Sequence, residues 1–270
     1  MQSTIRKLVS ISIVTIMIVN IILTCVVQAT HVLEPAEGAI SISSDYPHYV
    51  GPKGGRFIAP IDPLTDAIIK AEGYIEISDR AGLEAIKNNL NGKYYLSDDI
   101  CLSGVEWIPI GDDTAPFRGT FDGRGYVIYN LAIMDDYQYA GLFGYVENAM
   151  VKNVGLVGVT ISISISSCVG GICGVASDST VSNCYSAGKI STSYPSISSY
   201  SDYSYVGGIC GVASDSTVSY CYNTGNISVS STTSSSPCVG GICGYMSDGT
   251  MISYCYNTGN ISVSCGSSFS

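Results

Sequence analysis

The hexapeptide VGGICG occurs three times, at Val169–Gly174, Val206–Gly211 and Val239–Gly244, and each copy opens the same cassette. The cassettes read VASDSTVSNCYSAGKIS to Ser191, VASDSTVSYCYNTGNIS to Ser228 and YMSDGTMISYCYNTGNIS to Ser262, the last with one added residue. Successive copies start 37 and 33 residues apart, and self-similarity at such a period marks a solenoid. Within a unit the apolar segments are short, rich in Val, Ile and Tyr, and punctuated by Ser-Asp-Ser, Asn-Thr-Gly and Gly-Gly turn signals. No stripe of 3.6-residue period is long enough for a helix, so the segments read as strands. Three short strands and three corners in about 30 residues make one coil of a parallel β-helix, with equivalent residues stacked in columns. The expected fold is therefore all-β, a parallel β-helix (β-solenoid) with a short N-terminal capping helix.

A divergent unit, AGLFGYVENAMVKNVGLVGVTIS from Ala140 to Ser162, precedes the clear copies and places Gly141 and Gly158 opposite Gly171 and Gly188. The stack is expected to begin at about Phe117. Length varies in one place, at Tyr194–Tyr205 and Ser230–Pro237, where a loop can lengthen without disturbing the columns. Further upstream, Asp79 to Ile86 reads as a capped helix, with Asp79 as N-cap and Leu83, Ile86 and Leu90 on one face. Such a helix suits a solenoid end, whose strand edges need cover. The chain stops at Ser270 directly after a repeat, which suggests a last coil covered by a partner chain, or a fragment of a longer design.

At the N-terminus, Arg6 and Lys7 precede an apolar run from Leu8 to Val27, and Val27-Gln28-Ala29 offers a cleavage site. This is an export signal, expected to be cleaved after Ala29 and able to anchor the chain in a membrane if retained. The sequence thus divides into a signal peptide at 1–29, a leader or linker at 30–74, an N-terminal cap with the first coils at 75–139, and β-helix repeats at 140–270. The signal carries two of the 12 Lys and Arg and none of the 22 Asp and Glu, so the remainder has a formal charge of −12. Nucleic acid is excluded as a partner by that sign. Beyond Lys189 there is no Lys, Arg or Glu, and only Asp202, Asp215 and Asp248 carry charge.

The stretch GKYYLSDDICLSGVEWIPIGDDTAPFRGTFDGRGYVIYNLAI from Gly92 to Ile133, followed by AGLFGYV, resembles the N-terminal portion of GLUG-motif surface proteins, and VGGICG with NCYSAG or YCYNTG resembles the GLUG repeat itself. The likeness covers Ile75 to Val263. It implies β-helical repeats in an exported, often cell-surface region, of a kind also found alongside immunoglobulin A metalloproteases, and it supplies no catalytic residue set. Two departures stand out: the family commonly has an aliphatic residue where Cys173, Cys210 and Cys243 stand, and Asp where Cys101 stands.

Candidate sites are few. The two histidines, His31 and His48, lie in the leader without a partner at metal-ligand spacing. The pairs Asp98-Asp99, Asp112-Asp113 and Asp135-Asp136 fall in turns of the cap and first coils, and Arg118 and Arg124 flank the FDGRG turn; solvated turns account for them. Asp178, Asp215 and Asp248 form a column in which an Asx turn would fix each corner, Ca²⁺ between stacked carboxylates being the alternative. Cysteines recur as Cys173/Cys184, Cys210/Cys221 and Cys243/Cys255, with Cys168 and Cys238 repeating outside them and Tyr205 in the third place. They fit disulfides within or between coils or a ladder of small apolar side chains. Strict alternation turns Cys184 outward, whereas a corner at Asn183 turns it inward. Tyr185, Tyr222 and Tyr256 form a column suited to a ladder, and the cluster Tyr194, Tyr200, Tyr203 and Tyr205 is the candidate contact loop. Asn226-Ile227-Ser228 and Asn260-Ile261-Ser262 are glycosylation sequons.

The expectation is a non-catalytic exported repeat protein, secreted or at the cell surface. It would be adhesin-like or a binding or structural module of the envelope, with a glycan or a cell-surface protein as partner and no cofactor or metal. The alternatives are a polysaccharide-active β-helix enzyme, against which the missing acid/base cluster speaks, and a truncated accessory region of a larger secreted protein.

Overall fold

The computed structural model describes residues 69, 71–165, 167–194, 204–231, 237–247 and 249–265. The N-terminal apolar run, most of the leader, Tyr200, Tyr203, Asp248 and the side chain of Tyr194 lie outside the described residues. The chain from Ile75 winds into a parallel β-solenoid. One long wall has seven strands in sequence order: Ile75–Ile77, Lys93–Leu96, Thr120–Asp122, Met150–Lys152, Thr180–Ser182, Thr217–Ser219 and Met251–Ser253. A second wall has nine strands, including Val127–Tyr129, Gly155–Ile163, Tyr185–Tyr194, Tyr222–Asn223, Asn226–Ser231, Tyr256–Asn257 and Ile261–Cys265. Two four-stranded walls complete the repeats, one built from Tyr139–Ala140, Cys168–Val169, Tyr205–Gly207 and Cys238–Gly240, the other from Phe143–Glu147, Cys173–Ser177, Cys210–Ser214 and Cys243–Met246.

These walls revise the expected coil in three respects. VGGICG is two short strands around a bend, because a Cβ at Gly170 would collide with the carbonyl oxygens of Cys173 and Ile209. The stacking starts at Ile75, upstream of Phe117, since Ile75–Ile77 already pairs in parallel with Tyr94–Leu96. The third concerns Gly158, which does not stack on Gly188: it is the extra residue of a bulge at φ +72°, and Gly188 pairs with Val159 instead.

The helix α1 (Arg80–Ala85) lies between the first two strands of the long wall. Asp79 caps it, accepting a hydrogen bond from the Gly82 backbone N–H at 2.8 Å, and Leu83 and Ile86 are fully buried. Arg80 ties the helix to the next loop by donating to the carbonyls of Leu102 (2.8 Å), Val105 (3.1 Å) and Glu106 (2.9 Å). Its guanidinium also sits 6.0 Å from the ring of Trp107, whose indole N–H donates to the Leu142 carbonyl at 3.0 Å.

Inward columns form the core. On the long wall Tyr94, Phe121, Val151, Val181, Val218 and Ile252 stand one above another. On the second wall Ile133, Ile161, Ile190, Ile227 and Ile261 do the same. Side-chain size falls along the stack. The aromatic residues cluster at the helix end, with Phe117 and Phe143 at 4.9 Å and Phe121 and Phe143 at 5.4 Å between ring centres, while the repeats use Val, Ile, Ala and Cys. Burying each of those large rings stabilises the fold by about 2–3 kcal/mol.

Close stacking makes the Gly-Gly bend intolerant. A Cβ at Gly207 would collide with the backbone oxygens of Cys210 and Ile242, on its own coil and the next. Gly207→Ala is expected to cost about 1–3 kcal/mol or more by overpacking, seen as a lower urea midpoint, whereas Gly73→Ala, where the added Cβ meets nothing within 4 Å, should show only the smaller backbone strain.

Candidate functional site

Two corners of each of the last four coils are made by residues with left-handed backbone. One column holds Asn148 (φ +50°), Asp178 (+47°), Asp215 (+48°) and Gly249 (+86°). The other holds Asn153 (+58°), Asn183 (+54°), Tyr220 (+54°) and Tyr254 (+54°). Asn, Asp and Gly adopt this conformation readily, but for a bulky residue such as Tyr it is strained.

The Asp corner is held differently from the expected Asx turn. Asp178 and Asp215 accept from the preceding hydroxyls, Ser177 at 3.1 Å and Ser214 at 3.3 Å. The residue that follows carries the corner across coils. The Ser179 hydroxyl donates to the Ser177 carbonyl (2.6 Å) and accepts from the Ala149 N–H (3.0 Å), and the Ser216 hydroxyl donates to the Ser214 carbonyl (2.7 Å) and accepts from the Ser179 N–H (3.0 Å). This buried serine ladder went unread in the sequence, although the Asp-Ser pair repeated at 178–179 and 215–216 carries its signal. Among the described residues no three His, Cys, Asp or Glu side chains cluster as a metal site.

The second corner decides the cysteines. Its left-handed residue resets the alternation, so Cys184 and Cys221 point inward and are fully buried. They form a column with Val154 and Cys255, and each thiol donates to the carbonyl two residues back: Cys184 to Ser182 at 3.1 Å, Cys221 to Ser219 at 3.3 Å, Cys255 to Ser253 at 3.3 Å. The other column is Phe143, Cys173, Cys210 and Cys243. Cys168, Tyr205 and Cys238 stand in a third, so Tyr205 separates the two cysteines by a full coil. At about 4.8 Å per coil, Cys168 and Cys238 are too far apart to bridge. The nine cysteines from Cys101 to Cys255 are free thiols.

Outside the core, tyrosine rings stack. Tyr185 and Tyr222 lie 4.9 Å apart at 6°, and Tyr222 and Tyr256 5.1 Å apart at 3°. A Cβ at Gly155 would collide with the Tyr185 ring, which covers that glycine at the foot of the row. Beside this row runs one the sequence did not reveal, Tyr220 and Tyr254 at 4.8 Å and 3°. Tyr205 packs against Tyr245 at 5.0 Å. Because the stacked rings cover one another's faces, the rows present their edges and hydroxyls, and Tyr254 at the last coil is 64% exposed.

Several carboxylates of the first coils serve the scaffold. Asp112 accepts from the Thr114 hydroxyl (2.6 Å) and from the N–H groups of Thr114 and Ala115 (2.9 and 2.8 Å), bonds that lower its pKa. Asp99 accepts from the Val127 N–H (2.9 Å) and Asp136 from that of Ser164 (2.6 Å). Asp122 accepts from the Arg124 N–H and the Asn153 amide, both at 2.9 Å, and pairs with Lys152 at 3.4 Å; Arg118 pairs with Glu147. Among the described residues no helix is long and apolar enough to cross a membrane.

The GLUG motif matches residues 165–191, 202–228 and 235–262, so the three perfect copies are GLUG repeats. A protein of Evansella cellulosilytica described as "Putative Gly-rich membrane protein" is 37% identical over 97 residues, 32% of this chain and 11% of the relative. The chain thus spans about a tenth of that relative's length. A solved structure described as "a putative immunoglobulin A1 protease from Bacteroides ovatus" aligns with a TM-score of 0.46 and 20% identity, over 68% of this chain and 67% of that one.

Two tests follow from the cysteine environments. Cys210 makes its thiol contacts with Cys173 and Cys243, whereas Cys221 faces the Ser219 carbonyl. Cys210→Ser should therefore cost about 1–3 kcal/mol by burying a poorly partnered hydroxyl, and Cys221→Ser distinctly less, read from urea midpoints. Burial raises the Cys168 thiol to about 11, and burial with thiol contacts raises Cys221 as well. The unfolded chain releases these protons first, so stability should be full below pH about 9 and fall as pH rises toward 11, seen as a decreasing melting temperature under reducing conditions.

Proposed function

We propose that this chain of stacked GLUG repeats is a non-catalytic, exported surface protein whose tyrosine rows form a rigid contact face for a glycan or a cell-surface protein. The observation that carries this reading is the backbone strain at Tyr220 and Tyr254. The two preceding coils fill that corner with Asn153 and Asn183, which relieve the strain, whereas the last two hold Tyr at φ +54°. A strained aromatic row on the outer face is a cost in folding that contact with a partner would repay. Export is supported by the N-terminal apolar run, and a surface location by the membrane-protein description of the Evansella relative. The engagement of Asp99, Asp112, Asp122 and Asp136 in scaffold bonds supports the absence of catalysis.

A second reading, that the chain works as a repeat module within a larger exported assembly, is favoured by the small fraction of the relative that it matches.

The test is the double substitution Tyr220→Asn with Tyr254→Asn, which installs the residue used by the earlier coils. Stability should be unchanged or slightly increased, while retention on a glycan array or on whole cells should fall at least about tenfold, the loss of one aromatic contact of about 1.4 kcal/mol. Equal retention by the variant and the parent, or release of new reducing ends from any glycan, would overturn the reading.

A further inference from the structure

In oxidising surroundings, neighbouring strands are ordinarily joined covalently through cysteine. The cysteines of the central coils are badly placed for that. Cys173, Cys184, Cys210 and Cys221 are fully buried, out of reach of a dissolved oxidant, and burial holds the Cys221 thiol well above its usual range. Oxidisable side chains stand instead on the outside, in register, in the tyrosine rows. Tyr185 pairs with Tyr222, and Tyr222 with Tyr256, in the parallel sheet. Their rings lie 4.9 and 5.1 Å apart, only 6° and 3° from parallel, and Tyr220 and Tyr254 repeat the arrangement at 4.8 Å and 3°.

We propose that these rows are a modification site, in which one-electron oxidation couples stacked tyrosines of successive coils into dityrosine, a covalent staple on the outer face of the solenoid. Each ring is nearly a translated copy of the next, so equivalent carbons ortho to the hydroxyls lie about one coil rise apart, about 4.8 Å. Tyr185, Tyr220 and Tyr222 are partly exposed, and a small tilt of two such rings closes that gap while the backbone keeps the pair in register. Because Tyr222 is common to two pairs, its row yields one link; the row of Tyr220 and Tyr254 yields another.

The oxidant is a peroxide activated by a haem peroxidase. It removes one electron and one proton from each of two phenols, leaving two phenoxyl radicals whose unpaired spin is shared with the ortho carbons. Those carbons join in a new C–C bond, and the hydrogen on each then moves to its oxygen, restoring both phenols. The two electrons and two protons removed convert one hydrogen peroxide into two waters. Burial, then the neighbouring Tyr185 and Tyr256 phenols, hold the Tyr222 phenol well above its usual range, so its electron leaves together with its proton. Coupling needs no second molecule and is independent of what the tyrosine face binds.

The full chain recovered from an exporting host, treated with hydrogen peroxide and a haem peroxidase, tests this by dityrosine fluorescence and by mass spectrometry of peptic peptides. Links are expected from Tyr222 to Tyr185 or Tyr256 and from Tyr220 to Tyr254, each removing two hydrogens. Both partners belong to one molecule, so the yield should hold constant on about tenfold dilution. Tyr220→Phe with Tyr222→Phe keeps the stacked rings without their phenols, and should slow dityrosine formation at least about fivefold with an unchanged β-sheet spectrum. Should that variant not fold, the peptide map of the parent decides. Absence of these links from the folded parent, links that form only between chains and vanish on dilution, or an equal rate in the folded variant would each overturn the proposal.

Discussion

Parallel pairing between successive coils fixes nearly everything else in this molecule. Each coil's backbone N–H and C=O groups are satisfied by its neighbour, as in the run from Thr120 through Met150, Thr180 and Thr217 to Met251. That pairing sets a rise of about 4.8 Å per coil, and every side chain must then tolerate its counterpart at that distance. Glycine at the VGGICG bend, serine at the next corner and flat tyrosine rings outside are three answers to the same constraint. Charge is a poor answer, which accounts for its near-absence once the repeats become regular.

The columns also show how polar groups enter such a core. Ile128 and Leu156 are followed in their column by Ser186, Asn223 and Asn257. Asn223 is buried, yet its amide donates to the Gly225 carbonyl at 2.8 Å and to Asn257 at 2.7 Å, and its carbonyl oxygen accepts from the Gly225 N–H at 3.1 Å. A buried amide so fully bonded stabilises one register and penalises others. The cysteine column beside it works similarly, each thiol meeting a carbonyl that the left-handed corner has turned inward.

Sequence reading reached the architecture because the repeats are nearly identical, so the period, the columns of Tyr185, Tyr222 and Tyr256, and the N-cap at Asp79 were all visible as patterns. It stopped at the corners. Whether Cys184 faces in or out depends on one φ angle at Asn183, and no composition rule assigns that angle. Tyr220 and Tyr254 carry no turn signal of their own, and only the backbone shows them at the strained corner. Arg80 was silent because its partners are backbone carbonyls of a loop more than twenty residues away. The loop tyrosines Tyr200 and Tyr203 lie outside the described residues.

The fall in side-chain size along the stack gives the solenoid a direction in time. Trp107, Phe117, Phe121 and Phe143 lie toward the amino-terminal end, the part of a chain that leaves the ribosome first. The bulkiest nucleus can form before any GLUG repeat exists, and each later coil then adds to a finished edge, one nearest-neighbour interface at a time. Near-identical repeats could otherwise pair with the wrong neighbour. A growing end that offers a single template at each moment turns an ambiguous sequence into an ordered assembly line.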